Sequence, residues 1–197
     1  MRARRSGPAL ALLLQVLLFA AAVAAADEAS LKAGVFSPPR AAPAFSLRGS
    51  DGSPLELGRY RGKVVILGFG FSSCSDVCPT TLATLAQAKK KLGAEGDQVQ
   101  VVYITVDPER DDAQRLREYL GSFDKTFVGG TGTAEQLAAV RKEYGIAASR
   151  RTSGESYAFN HSSYTYLIDR EGSLRALMPY GQSADDYVHD VKILLKQ

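Results

Sequence analysis

An α/β fold, a mixed β-sheet covered by helices on both faces, is predicted by three features of this 197-residue chain. Two nearly continuous β-branched and aromatic runs, "GKVVILGFGF" (62–71) and "QVQVVYITVD" (98–107), read as central strands buried on both faces. Segments with helical spacing alternate with them. A strand–turn–strand unit and a last amphipathic helix then close the chain.

The elements follow in order. "FSLRGSDGSPLEL" has apolar residues on either side of Asp51-Gly52, the pattern of a β-hairpin extending the N-terminal side of the sheet. After the first buried run, Pro79 is expected to open a helix in which Leu82, Leu85, Ala86 and Leu92 keep helical spacing, and Gly93 ends it. The second buried run is followed by "DDAQRLREYLGSF", a helix whose leading acids suit the positive end of its dipole. "KTFVGG" reads as a short strand, and "TAEQLAAVRKEYG" as a helix with a capping box from Thr133 to Gln136. "SYTYLIDREGSLRALMPY" reads as two strands joined at the turn 169–172. Ser183 is expected to cap the final helix, "ADDYVHDVKILLKQ". Strand and helix order of this kind is thioredoxin-like.

The ends of the chain divide it. Arg2, Arg4 and Arg5 precede an apolar run and an Ala24-Ala25-Ala26 cleavage pattern. Residues 1–26 are therefore expected to be a signal peptide or, uncleaved, a membrane anchor. Residues 27–42, running into the Pro/Ala-rich "SPPRAAPAF", are expected to be a linker, and residues 43–197 the folded domain. The net charge of +3 belongs wholly to the leader: those three arginines removed, 21 basic residues face 21 acidic ones. A neutral domain argues against a nucleic-acid surface.

The chemistry centres on "GFGFSSCSDVCPTT", which holds the chain's two cysteines, Cys74 and Cys78. In an exported protein a thiol pair tends toward oxidation unless it is protected or recycled. A bridge across so short a loop would constrain little of the unfolded chain, so a stapling role is disfavoured. The preceding strand delivers the pair to the carboxyl edge of the sheet, where open α/β sheets collect their chemistry. Pro79 places Cys78 at or near the helix N-cap, where amide N–H groups and the dipole favour thiolates. Two thiolates suit Cu(I) or Zn(II). The C-x-x-x-C spacing is not that of the usual C-x-x-C redox motif, and helical i, i+4 β-carbons lie about 5–6 Å apart, beyond the roughly 3.5–4.5 Å a disulfide needs. Oxidation therefore requires the loop to bend.

A third ligand would separate metal binding from redox exchange. Of the two histidines, His189 reads as a partly exposed helix residue. His161 precedes the strand beginning near Tyr164, where thioredoxin-like oxidoreductases carry a cis-proline; no proline lies between Pro108 and Pro179. His161 can therefore face the cysteines.

Four blocks, "GKVVILGFGFSSCSDVCPTTL", "VVYITVDPERDDAQRLREYL", "FVGGTGTAEQLAAVRKEYGI" and "NHSSYTYLIDREG", together resemble the Sco/SenC family of copper proteins. The resemblance spans about residues 43–197. It implies a thioredoxin-like domain, exported or membrane-anchored, that binds one copper ion, Cu(I) or Cu(II), through Cys74, Cys78 and His161. It implies a role as a copper chaperone for the dinuclear copper site of cytochrome c oxidase subunit II. Other copper chaperones or thiol–disulfide oxidoreductases are further partners. Asp107 matches a family position that supports the site or its partner contacts; capping the following turn is its structural alternative. Ser75, Ser72 and Asn160 stand where the family usually has Pro, Thr and Asp, and none of these removes a ligand.

The expected location is the periplasm, soluble or held at the inner membrane by the leader alone, ahead of the mitochondrial intermembrane space. The alternative function is a thiol–disulfide reductase using Cys74 and Cys78, with His161 tuning them. A peroxidase and a zinc site of Cys74, Cys78, His161 and His189 are the remaining readings.

Overall fold

Residues 31–197, apart from residue 155, are described by the computed structural model. The expected leader (1–26) lies outside them. Residues 32–197 form one unit. No helix among the described residues is long and apolar enough to cross a membrane.

The centre is β4 (Val64–Gly70), and all seven of its residues are buried. It pairs in parallel with β5 (Val99–Thr105), equally buried, and β5 pairs in parallel with β6 (Val128–Thr131). Each fully buried Val, Leu, Ile or Phe contributes about 1.5–3 kcal/mol, which makes this pair of strands the stable heart of the sheet. On the other side of β4, β9 (Tyr164–Ile168) runs antiparallel and is followed outward by β10 (Ser173–Pro179). The expected turn joins them: Gly172 is at φ 81° and donates its N–H to the Asp169 carbonyl. The predicted hairpin forms from β2 (Leu47–Gly49) and β3 (Pro54–Leu55) and extends the sheet beyond β6.

One strand stands where a linker was expected. Residues 34–41 form β1 (Gly34–Ala41), paired antiparallel with β10 at the edge of the sheet. Proline is tolerated there because an edge strand has one side without ladder bonds. The register slips between Val35 and Arg40, so Pro38 and Pro39 fall where the pairing is irregular. The full order of the eight-stranded sheet is β1-β10-β9-β4-β5-β6-β2-β3.

The four α-helices among the described residues match their sequence signals closely. They are α1 (Val77–Leu92), α2 (Ala113–Gly121), α3 (Ala134–Glu143) and α4 (Ala184–Leu195). Thr133 and Gln136 form the predicted capping box on α3, and Ser183 forms one on α4 with Asp186. Helices α1 and α4 pack together. Tyr144, just past α3, packs its ring 5.7 Å from that of Phe69, which points to the face opposite Gly68 and Gly70. Helix α1 begins at Val77, with Asp76 as N-cap, earlier than Pro79 alone suggested. A proline within the first turn removes only an N–H that has no intrahelical partner.

A second, separate sheet was not anticipated: β7 (Ala148–Ser153) and β8 (Ser156–His161) pair only with each other. Its sequence is polar and its strands largely exposed, so no buried run announced it.

The N-terminal end of the described chain is tied down by a buried carboxylate. Asp190, fully buried in α4, accepts from the backbone N–H of Lys32 and of Ala33, each at 2.9 Å. Replacing it leaves two amides without their acceptor. Asp190→Ala is expected to destabilise the domain by about 1–3 kcal/mol and to speed hydrogen exchange at Ala33. Unchanged exchange at Ala33 would contradict this anchoring role.

Candidate metal centre

The site starts from two missing β-carbons. Gly68 and Gly70 lie on one face of β4, and the ring of Tyr103 from β5 crosses both. A β-carbon at Gly68 would stand 2.9 Å from that ring; one at Gly70 would stand 1.9 Å from the Tyr103 hydroxyl and 2.8 Å from Cys78 Sγ. The glycines thus let a fully buried tyrosine place its hydroxyl beside the Cys78 thiol. Sequence reading missed Tyr103, because a tyrosine within a buried run reads simply as core.

Cys78 sits in the first turn of α1 and is 1% exposed. Its Sγ is 3.4 Å from His161 Nε2. The other imidazole nitrogen, Nδ1, lies 2.9 Å from the Ser162 carbonyl oxygen. A carbonyl can only accept, so Nδ1 carries the proton and Nε2 presents its lone pair to the sulfur. His161 ends β8 and stacks edge-on with Phe71, ring centroids 5.9 Å apart. The space between Cys78, His161, Tyr103 and Phe69 is a cavity of about 10 Å³, at most the room of a single water. A larger cavity of about 530 Å³ lies elsewhere, lined by Phe45, Tyr60, Arg61 and Arg170, and touches none of the expected ligands.

Cys74 stands in the loop before α1, half-exposed, and its thiol interacts with that of Cys78. Both thiols are free. Among the described residues, however, no three His, Cys, Asp or Glu side chains are gathered closely enough to hold an ion as they stand. Cys78 and His161 are brought together, and Cys74 meets Cys78 without forming a three-residue cluster. His189 is engaged elsewhere, with Nδ1 2.9 Å from Asp190 Oδ1 in α4.

Burial sets the protonation of the pair. The Cys78 thiol is pushed up to about 12, chiefly by desolvation, against hydrogen bonds from Tyr103 and from the Phe71 backbone; Cys74 raises it further. The helix N-terminus was expected to favour a thiolate here, and loss of water outweighs it. Burial also lowers the His161 pKa below 6.5, only partly offset by its bond to Ser162. The imidazole is therefore neutral near pH 7, as a ligand must be.

The donor set fits a soft ion. A thiolate and an imidazole sharing one zinc ion, with bonds of about 2.3 and 2.0 Å, lie roughly 3.5 Å apart in tetrahedral geometry. The observed 3.4 Å needs only a slight widening.

Two buried aspartates flank the site. Asp107, 1% exposed, accepts from the Tyr157 hydroxyl at 3.0 Å and pairs with Arg110 Nε. Its side chain is thus turned to the hairpin, while its backbone carbonyl takes the turn bonds from Arg110 and Asp111. Asp111, fully buried, was not singled out from sequence. It accepts from the Ser72 N–H at 2.9 Å, the Ser72 hydroxyl at 2.5 Å and the Thr105 hydroxyl at 2.6 Å, and so pins the entry to the cysteine loop. Its only sequence signal was the third acid in "DPERDD", which reads equally well as a helix start.

Fold and site together define a thioredoxin-like domain with a dithiol and a neutral imidazole at one edge of its sheet. The family model for SCO1/SenC matches residues 36–196, and the chain belongs to that family. It is 36% identical over 152 residues to the mitochondrial SCO2 homolog of Mus musculus, covering 75% of this chain and 60% of that one. The chain thus spans about three fifths of the length of that relative. Among solved structures, Bradyrhizobium japonicum ScoI with copper bound is similar at a TM-score of 0.73 and 29% identity, over 79% of this chain and 99% of that one. Apo Sco1 of Thermus thermophilus is similar at a TM-score of 0.76 and 32% identity, over 84% and 98% of the two chains.

Two outcomes are expected. Gly70→Ala should force Tyr103 and Cys78 apart and cost about 1–3 kcal/mol by overpacking, read as a lower urea midpoint; Tyr103→Phe in the same chain should recover part of it. A neutral wild-type-like midpoint would show that the close approach does not constrain the fold. The second concerns pH. Because the folded pKa of His161 is depressed, its contribution to stability is complete above 6.5 and is lost as pH falls through the lower folded value. An NMR titration of the imidazole should give a midpoint below 6.5, and His161→Ala should flatten the pH dependence of the urea midpoint in that acid window.

Proposed function

We propose that this chain is a copper chaperone that binds one copper ion through Cys74, Cys78 and His161 and delivers it to the dinuclear copper site of cytochrome c oxidase subunit II. The observation that carries this reading is the 3.4 Å approach of His161 Nε2 to Cys78 Sγ with the Nδ1 proton fixed on Ser162. Dithiol exchange needs no such imidazole lone pair; a metal site does. The SCO1/SenC family is one of copper-binding proteins involved in cytochrome c oxidase assembly, which supports both cargo and destination.

Binding displaces the thiol protons. Cu(I) with two thiolates and one neutral imidazole carries a local charge of −1, and Cu(II) makes the site neutral, so one ligand set can hold either state. The nearly dry pocket keeps water from a soft ion, while half-exposed Cys74 offers the side from which an acceptor cysteine would attack. Loss of Cys74 first, then Cys78 and His161, gives transfer one ligand at a time. On this reading the expected leader, residues 1–26, would carry the chain to the periplasm, soluble or tethered to the inner membrane. Asp107 supports the site from behind rather than by contact with copper.

A second reading is favoured by the two free, interacting thiols. As a reductase the pair would give two electrons and two protons to a target disulfide and form the Cys74–Cys78 bond in return. Anaerobic Cu(I) titration of the reduced chain against a competing chelator separates the two. Wild type should bind one copper per chain tightly, and His161→Ala should lose that affinity while still forming a disulfide. Equal copper affinity in the two proteins would remove His161 from the ligand set. Weak binding in both, with a readily cycled disulfide, would put the reductase first.

A further inference from the structure

His161 is carried by a hairpin that shares no ladder bonds with the main sheet, so side chains must hold it in place. Tyr157, Phe159 and His161 alternate along β8 and therefore share one face. Phe159 and His161 both meet Phe71, each at 5.9 Å between ring centroids. Tyr157, at the far end of this row, is gripped more firmly. Its ring lies between two guanidinium groups, Arg110 at 3.9 Å and Arg150 at 3.5 Å from the centroid. Its hydroxyl is 3.0 Å from buried Asp107 and 3.2 Å from exposed Glu109. Arg110 also donates to the Tyr157 carbonyl at 3.1 Å, and Arg150 pairs with Glu109 at 2.8 Å. Two cations and two carboxylates balance around one ring.

Both hydrogen bonds of the Tyr157 hydroxyl, the Arg110 bond to its carbonyl, the Arg110 stack on its ring and the Arg150–Glu109 pair join the hairpin to the segment 107–110. With no backbone pairing to the main sheet to replace them, these contacts fix where β8 lies against the segment 107–110 and Phe71. At about 3.3 Å per residue, Tyr157 stands roughly 13 Å along the strand from His161. A tilt of the hairpin at Tyr157 is therefore carried to the imidazole as a displacement of Nε2 from Cys78.

We propose that Tyr157 is a positioning residue that latches the β7–β8 hairpin and so sets the distance of His161 from the cysteines. The inference rests on the reading of His161 as a copper ligand. A latch of this kind acts on the third ligand alone. It leaves the two thiols, held by α1 and its preceding loop, where they are.

The test compares wild type, Tyr157→Ala, Tyr157→Phe and His161→Ala in the full chain. Three readouts are used: Cu(I) affinity against a chelator, the nitrogen coupling in the electron paramagnetic resonance spectrum of the Cu(II)-loaded chain, and the reduction midpoint of the cysteine pair. Tyr157→Ala is expected to weaken Cu(I) binding about tenfold to a hundredfold and to reduce the nitrogen coupling, with the dithiol midpoint unchanged. Tyr157→Phe keeps the ring between Arg110 and Arg150 and should recover most of both losses. Should Tyr157→Ala fail to fold, Tyr157→Leu is judged by the same readouts. Wild-type affinity and coupling in the Tyr157 variant, with both lost in His161→Ala, would overturn the latch and leave the ligand assignment standing. Wild-type values in His161→Ala itself would overturn the ligand assignment, and the latch with it.

Discussion

The close approach of α1 to the carboxyl end of β4 is the constraint on which the site rests. Cys78 can lie over the strand because Gly70 has no β-carbon there, and the Tyr103 hydroxyl fills the same gap. Two side chains and a helix start thus converge on one backbone position. Close-packed interiors do not absorb an added methyl without shifting their neighbours. The sulfur is held in a dry place by the same packing that stabilises the sheet, so stability and function draw on one set of contacts.

The segment after β5 organises the surroundings of both ligand-bearing pieces. Asp111 holds Ser72 at the entrance to the cysteine loop, and Asp107 with Arg110 holds Tyr157 on the hairpin. Two buried carboxylates on one short turn thereby tie together chain segments that are far apart in sequence. A buried carboxylate is costly unless its oxygens are satisfied, and each of these meets at least two donors. The turn thereby links the cysteine loop to the hairpin that carries His161.

Electrostatics at Cys78 show two effects in opposition. The helix N-terminus favours a thiolate, and removal from water disfavours it more strongly. The free chain therefore keeps the Cys78 thiol protonated near pH 7, and on the proposed reading a soft ion would replace that proton. A coordinating thiol is deprotonated by the metal's own charge, which makes binding and proton release a single event. The neutral imidazole needs no such exchange.

Much of the fold was legible from local pattern. The buried runs became β4 and β5, the capping box of Thr133 and Gln136 formed, and the turn 169–172 joined β9 to β10. These signals act within a few residues, through burial periodicity, cap hydrogen bonds and turn conformation. Pro38 and Pro39 pointed to a linker, because only a partner strand, β10, makes an edge strand of their segment. The β7–β8 hairpin left no trace for a related reason: it pairs with itself and stays exposed, so no hydrophobic rhythm marks it. By itself the sequence offered the candidate ligands, Cys74, Cys78 and His161, and the strand-to-helix junction that carries the first two. Only the tertiary structure decided that His161 Nε2 faces Cys78, that Asp111 binds Ser72 and Asp107 binds Tyr157, and that burial governs the thiol. Those outcomes depend on distances and desolvation between residues remote in the chain, which exist only after the sheet has closed.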